Sequence, residues 1–506
     1  MKGTISRWKN SGRLPEQAGL HCESRQEERI LKAYQGYQKS LEQANMLDFD
    51  DLLLLTKELF ERNPKILEKR QQHFEYFLVD EAQDTNAIQF TLMKMLAPGK
   101  SNITFIGDDY QSIYRWRGAL MEQFLNIKSI RPTIETYKLQ TNYRSLPHIV
   151  EAGNAIIKQN KKQYEKEIVS HRKGGQHIRC FEYADEKDEA LQTVNFVIKI
   201  KEEQNKKRAD FTILYRTNSQ SQPFEQVLLT EGIPYKVVGA QKFFERAEIK
   251  DIIGYVKFMI NHHDDVSFKR IVNVPKRNIG DTTVDEIQAL ATQRNVSMGE
   301  IIHNIYNYQA SLKPAVFQKI GGFLHELQAI KQIIDLYTPS DILKQIYEIT
   351  RYKDYIIKVE GKEKGEEKIA NIGQLITMAV KRQETGIEGL GKFMDEVALL
   401  TSVEDAQPED ADAVRLMTVH ASKGLEFPYV FIVGCEDGIF PLEKAKFDDD
   451  EMEEERRGMY VAITRAKDHL FMSYANSRYQ RGQIRYNRPS RFLEEIPDHL
   501  IKNYNL

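Results

Sequence analysis

Short runs of β-branched and aromatic residues alternate with longer amphipathic stretches along most of the chain. Tyr76–Val79 and Ile103–Ile106 form one group of runs; Phe211–Tyr215, Tyr235–Val238, Val414–Val419, Tyr429–Val433 and Leu470–Tyr474 form a second. Each is four to six residues long and most end against Gly, Asp or Arg, the pattern of strands buried in a parallel sheet. Helical patterns separate them, so both groups read as α/β units. The interval from Phe243 to Ala406 differs, being rich in Lys and Glu and helical in period. There Ile369, Ile372, Leu375, Ile376 and Val380 share one face at a 3.6-residue repeat. The pattern predicts helices over 1–45, an α/β unit over 46–136, a second α/β unit over 137–242 and 407–506, and a helical insertion over 243–406. The acidic run DDDEMEEE, Asp448 to Glu455, predicts a solvated loop leading into a helix N-terminus.

Composition adds limits. In 506 residues, hydrophobic side chains make up 41% and charged ones 29%, as in a globular protein with a large charged surface. Lys and Arg (72) nearly balance Asp and Glu (74), so any polyanion must be met by a local groove and not by bulk charge. The three cysteines, Cys22, Cys180 and Cys435, lie far apart without metal or disulfide spacing, which predicts a reduced, cytoplasmic setting. No apolar run approaches the roughly 18 residues of a membrane span, so no membrane partner is expected.

Candidate chemistry lies at the strand ends. In FLVDEAQDT, Phe77 to Thr85, an apolar run meets Asp80 and Glu81; an Asp there can hold magnesium while the adjacent Glu orients or deprotonates an attacking water. The next strand leads into GDDYQSIYRWRG, where the Gln111 amide is placed to sense a terminal phosphate. Tyr114 and Trp116 then alternate with Arg115 and Arg117. In an extended segment this puts two rings on one face and two guanidiniums on the other, a platform for stacked bases.

DEAQD, GDDYQSIYRWRGA, LQTNYRS, YRTNSQS, TVHASKGLEF and YVAITRAKDHL, in this order, resemble the motifs of UvrD/Rep/PcrA-type superfamily 1 DNA helicases. The resemblance implies an α/β fold of two RecA-like domains, 1A (the first, incomplete) and 2A, with helical insertions 1B (a remnant) and 2B. It implies an ATP-dependent 3′–5′ DNA helicase or translocase using ATP and Mg2+, with single-stranded DNA and ss/ds junctions as partners, in repair, recombination or replication restart. Carried over, Asp80 takes magnesium, Glu81 the catalytic water, and Gln111, Arg144 and Arg465 the γ-phosphate. Tyr143 stacks on adenine, and Gly424 and Glu426 lie near the nucleotide sugar. DNA falls to Tyr114, Trp116, Arg117, Arg216, Asn218, Thr418 and His420. SRYQRGQIRYN resembles the hairpin that wedges duplex strands apart, with either Tyr479 or Tyr486 as its ring. PKRNIGDTTVDEI resembles a duplex-contacting turn, with Asn278 in place of a glycine and a capping box from Thr283 to Glu286.

One part of the pattern is missing. The family's phosphate cradle is G-x-x-x-x-G-K-[ST] after a strand. The nearest match here, Gly386, Gly391 and Lys392, is followed by Phe393, which cannot ligate magnesium, and lies inside the helical insertion. ISRWKNSGRLPEQA and DFDDLL resemble the later half of 1B and its return to 1A. The expectation is therefore an N-terminally truncated motor, without the cradle and inactive alone. Two other readings stand beside it: a non-catalytic single-stranded-DNA-binding or regulatory module, and one half of a split helicase completed by a chain or upstream segment carrying the loop.

Overall fold

A computed structural model describes residues 2–505 except 21, 23, 44–45, 98–101, 116–117, 240–242, 381, 406–411 and 481–482. Trp116, Arg117, the Arg481-Gly482 turn and the expected boundaries at 242 and 406–407 thus lie outside the described residues.

The strands in chain order are β1 (Tyr76–Val79), β2 (Asn102–Phe105), β3 (Thr141–Asn142), β4 (Val169–Ser170), β5 (Ile178–Asp185), β6 (Phe211–Tyr215), β7 (Tyr235–Val238), β8 (Val414–Thr418), β9 (Phe427–Ile432), β10 (Ala466–Gln480), β11 (Gln483–Tyr486) and β12 (Ile501–Asn505). They form a parallel pair β1-β2, a parallel pair β3-β4, and an eight-stranded sheet ordered β12-β5-β10-β9-β6-β8-β7, with β11 antiparallel to β10. Every other pairing in the large sheet is parallel, and helices cover both its faces. Alternation along β6 shows the sorting: Phe211, Ile213 and Tyr215 join one core with Val194, Val197 and Leu228, whereas Leu214 joins the other with Ile149, Ile156 and Ile463. The α/β fold class follows from these layers.

The first sheet is smaller and half covered. Its in-register pairing, Tyr76 with Asn102 through Val79 with Phe105, turns Phe105 toward Phe90 of the helix Ala87–Leu96. Tyr76 and Leu78, on the opposite face, are 67% and 71% exposed. Helices Lys2–Asn10, Arg25–Gln43 and Phe49–Arg62 pack beside this unit around a wholly buried Lys9, whose Nζ meets Asp48 at 2.8 Å and Asp51 at 2.7 Å. Asp48 also caps the third of these helices by accepting from Asp51 N. The DFDDLL segment is thus a helix start clamped by a buried ammonium.

Between β7 and β8 the described residues are helical from Phe243 to Asp405, around one large apolar cluster. Ile372, Leu375 and Ile376 are buried in it; Val380, expected on that face, caps its helix and is half exposed. Gly386 opens the helix Gly386–Asp405 and Phe393 is buried, so the glycine-lysine segment is packed helix, not a phosphate loop. The capping box expected from Thr283 to Glu286 does not form. Gly280 takes the cap position of the helix Asp281–Arg294, Thr283 lies inside the helix, and Glu286 binds Lys313 Nζ at 2.7 Å. Asn278 has φ +59°, the left-handed conformation that glycine favours. The acidic run is a helix start: Asp448 caps Asp449–Thr464, accepting from Asp450 N and Glu451 N.

Candidate active site

The parallel register of β1 and β2 puts Asp80–Glu81 beside Gly107–Asp108, because the ladder continues from Ile106 N to the Val79 carbonyl and from Ala82 N to the Ile106 carbonyl. Glu81 is held at φ +50°, a left-handed conformation costing a non-glycine residue about 1–2 kcal/mol. Such strain gathers where a side chain must be aimed. Gln83, fully buried beneath it, donates to the Glu81 carboxylate and accepts from Asp108 N at 3.0 Å, tying the two strand ends together. Asp80 is exposed, and its Oδ1 accepts from Glu81 N at 2.9 Å. Two carboxylates of this kind suit a hard, oxygen-seeking cation such as magnesium.

The second unit reaches this cluster through Lys423, in the turn between β8 and β9. Its Nζ lies 3.1 Å from Glu81 Oε2, pairs with Asp84, and donates to the Gln111 carbonyl at 2.9 Å. Gln111 sits in the turn Asp109–Gln111 after β2; its Nε2 donates to Asp108 at 2.6 Å and its Oε1 accepts from Arg465 Nη2 at 3.2 Å. Arg465, at the end of the helix Asp449–Thr464, is wholly buried and also donates to the carbonyls of Val461 and Leu425. Burial, and then the nearby Arg144 charge, push its guanidinium down to about 10. Arg144 donates to Glu426 at 2.6 Å and to the Thr464 carbonyl at 3.2 Å, one residue from Arg465. A hydrogen bond from Lys467, and another from Arg144, hold the Glu426 carboxyl below its ordinary range.

Glu81, Gln111, Arg465, Arg144 and Glu426 therefore share one continuous network across two α/β units, and Asp80 abuts it. Lys423, one of several links between the units, escaped the sequence reading, which singled out other residues of the same motif. Only its lone positive charge in a Ser-Lys-Gly turn marked it.

Other expected residues lie further out. Tyr143 is 69% exposed with its ring 4.9 Å from that of His171, leaving one face open. Gly424 has φ +82°, which only glycine adopts readily. Thr418 accepts from Ala421 N and braces the turn that carries His420. Tyr114 does not present a free face as an extended segment would. It is partly buried against the large unit's core, its hydroxyl donates to the His420 carbonyl, and Lys423 lies 5.4 Å over its ring. Arg115 pairs with Asp450 at 3.2 Å. The fork of Arg216 is taken by Glu455, at 2.6–3.2 Å. Asn218 starts the turn Asn218–Gln220 behind β6. The expected hairpin forms by pairing Ser477–Gln480 with Gln483–Tyr486; Tyr479 is partly buried and Tyr486 is 81% exposed. No helix among the described residues is long and apolar enough to cross a membrane.

Comparison with known proteins identifies the family. A family model described as the UvrD/REP helicase N-terminal domain matches residues 1–132, and one described as the UvrD-like helicase C-terminal domain matches residues 137–477. The chain is 38% identical over 507 aligned positions to an ATP-dependent DNA helicase PcrA of Staphylococcus epidermidis and 37% identical over 508 to one of Staphylococcus aureus. Each alignment covers 99% of this chain and 69% of the relative. Two family models that together span nearly all of both α/β units, and relatives aligned along almost the whole chain, place this protein in the UvrD/REP family of DNA helicases.

Proposed function

We propose that the chain couples ATP hydrolysis to 3′–5′ movement on single-stranded DNA and so unwinds ss/ds junctions. The observation that carries this reading is the bridge Glu81–Lys423–Gln111–Arg465, which joins the strand ends of one α/β unit to a helix end of the other. A change at the strand ends must then alter how the two units meet, which is what a motor requires.

In this reading Asp80 would hold magnesium, which when bound draws charge from the terminal phosphate oxygens. Glu81, fixed by its backbone and by Gln83, orients the attacking water. Gln111, Arg144 and Arg465 supply donors toward the γ-phosphate, and the two guanidinium charges stabilise the transferred group once the crevice closes. Tyr143 offers a ring to adenine, while Gly424 and Glu426 border the sugar. Thr418, His420 and Tyr114 link this wall to DNA, Arg216 and Asn218 are further DNA contacts in this reading, and the motif adds Trp116 and Arg117 to them. The cytoplasm is the setting that suits three free cysteines.

These 506 residues contain no G-x-x-x-x-G-K-[ST]. With positioning supplying most of the catalysis in this chemistry, the chain by itself turns over ATP well below the ~1–10³ s⁻¹ of typical enzymes. That same observation favours a second reading, a DNA-binding module that works without hydrolysis.

One assay separates them. ATP turnover is followed with and without a single-stranded oligonucleotide, for the parent chain and for Glu81→Gln. A low rate that DNA raises, and that Glu81→Gln removes, is expected. Oligonucleotide binding with no DNA-dependent turnover would overturn the motor reading in favour of the binding module.

A further inference from the structure

The helical insertion holds a group of ligand-type side chains outside the nucleotide and DNA residues proposed above. The loop after the helix Ala247–Ile260 reads Asn261-His262-His263-Asp264, and the short helix Met298–His303 lies against it. His262 Nε2 is 3.2 Å from Glu300 Oε2, and one ligand atom from each of His262, His263 and Glu300 lies within 4.8 Å of the others. The two histidine rings are 4.0 Å apart, and His303 stacks on His262 at 5.3 Å.

The backbone around the group is fixed from both sides. Asp265 accepts from Met298 N at 2.8 Å, Ser297 meets His263 Nδ1 at 2.9 Å, and Asp264 caps the following helix through Val266 N and Ser267 N. Gly299 makes the close approach possible: a Cβ there would sit 1.6 Å from the His262 carbonyl oxygen. The histidine loop is thereby seated on the helix that presents Glu300 and His303.

We propose that His262, His263 and Glu300 bind a divalent transition-metal ion of the zinc class. Two imidazoles and one carboxylate are a borderline donor set that suits zinc, whereas calcium and magnesium require mostly oxygen ligands. Tetrahedral bonds of ~2.0–2.1 Å separate ligand atoms by about 3.3 Å, so the group closes by about 1.5 Å at most on binding. Side-chain rotation covers that distance, since all three residues are partly or fully exposed. Water or His303, three residues beyond Glu300 on the same helix, completes the fourth position. The ion would tie the loop to the helix and replace the His262–Glu300 contact.

The test uses the chelator-treated 506-residue chain without ATP or DNA, so its outcome is independent of the helicase reading. Zinc is titrated against a chromophoric competitor, and cobalt absorption reports the coordination. One equivalent is expected per chain, with tetrahedral cobalt bands, and His262→Ala and Glu300→Gln should each weaken binding at least about tenfold. Cys22→Ser should leave it unchanged. His263→Gln, on an exposed side chain, serves if His262→Ala disturbs folding as judged by circular dichroism. Equal zinc binding by His262→Ala/His263→Ala, or no binding by the parent chain, would overturn the proposal.

Discussion

His148, in the first turn of the helix Pro147–Ile157, shows how one side chain can set a pH response. Burial, then the charges of His469 and His177, push its imidazole down to about 4. Gly175 lies flush against it, where a Cβ would come within 2.2 Å of Nδ1. In the unfolded chain the imidazole titrates near its ordinary 6.5, so between 6.5 and about 4 the unfolded state binds more protons. The stabilisation is complete above pH 6.5 and is lost as pH falls toward 4. Urea midpoints measured at pH 7 and at about pH 5 should separate less in His148→Gln than in the parent chain. At this scale the sequence was uneven. Asp80, Glu81 and Gln111 could be read because each follows a short apolar strand. Lys423 could not, because its partners Glu81 and Asp84 lie more than 300 positions away and no periodicity connects them.

Elements were legible where their period was clean. β1, β6 and β7 end where their apolar runs do, but β5 and β12 went unpredicted because Arg179, Glu182, Lys502 and Asn503 interrupt the pattern. β10 runs well past the expected Tyr474, since its last residues leave the sheet core to pair with β11 and need no apolar face. Arg478 anchors that extension. It is buried, with Glu436 at 2.6–2.9 Å and Glu189 at 2.5 Å, both fully buried. Burial opposes the Arg478 charge, but Glu189 and Glu436 outweigh it and raise its pKa. Arg478→Met would strand two carboxylates in the core and should cost ~3–5 kcal/mol, measurable by chemical denaturation. The capping box failed for a related local reason: Gly280, not Thr283, occupies the extended position where a helix begins.

At the scale of the molecule the two α/β units are unequal. One is an eight-stranded sheet with helices on both faces; the other is a two-stranded sheet whose Tyr76 and Leu78 remain exposed. Burial of apolar surface dominates folding free energy, so the smaller unit opens at lower cost. Calorimetry should resolve a minor low-temperature transition ahead of the main one, and a single cooperative peak would contradict this. The large sheet and the helical insertion were foreshadowed by strand and helix periods. The imbalance between the units was foreshadowed by two strand runs in the first group against five in the second, but which side chains stay bare depends on neighbours that no local pattern records. Asp80, Glu81 and Gln111 all stand on the weaker unit. Under the proposed function, heating should therefore extinguish nucleotide chemistry while most of the secondary structure is still intact, and recovery on cooling would depend on refolding only that small portion of the chain.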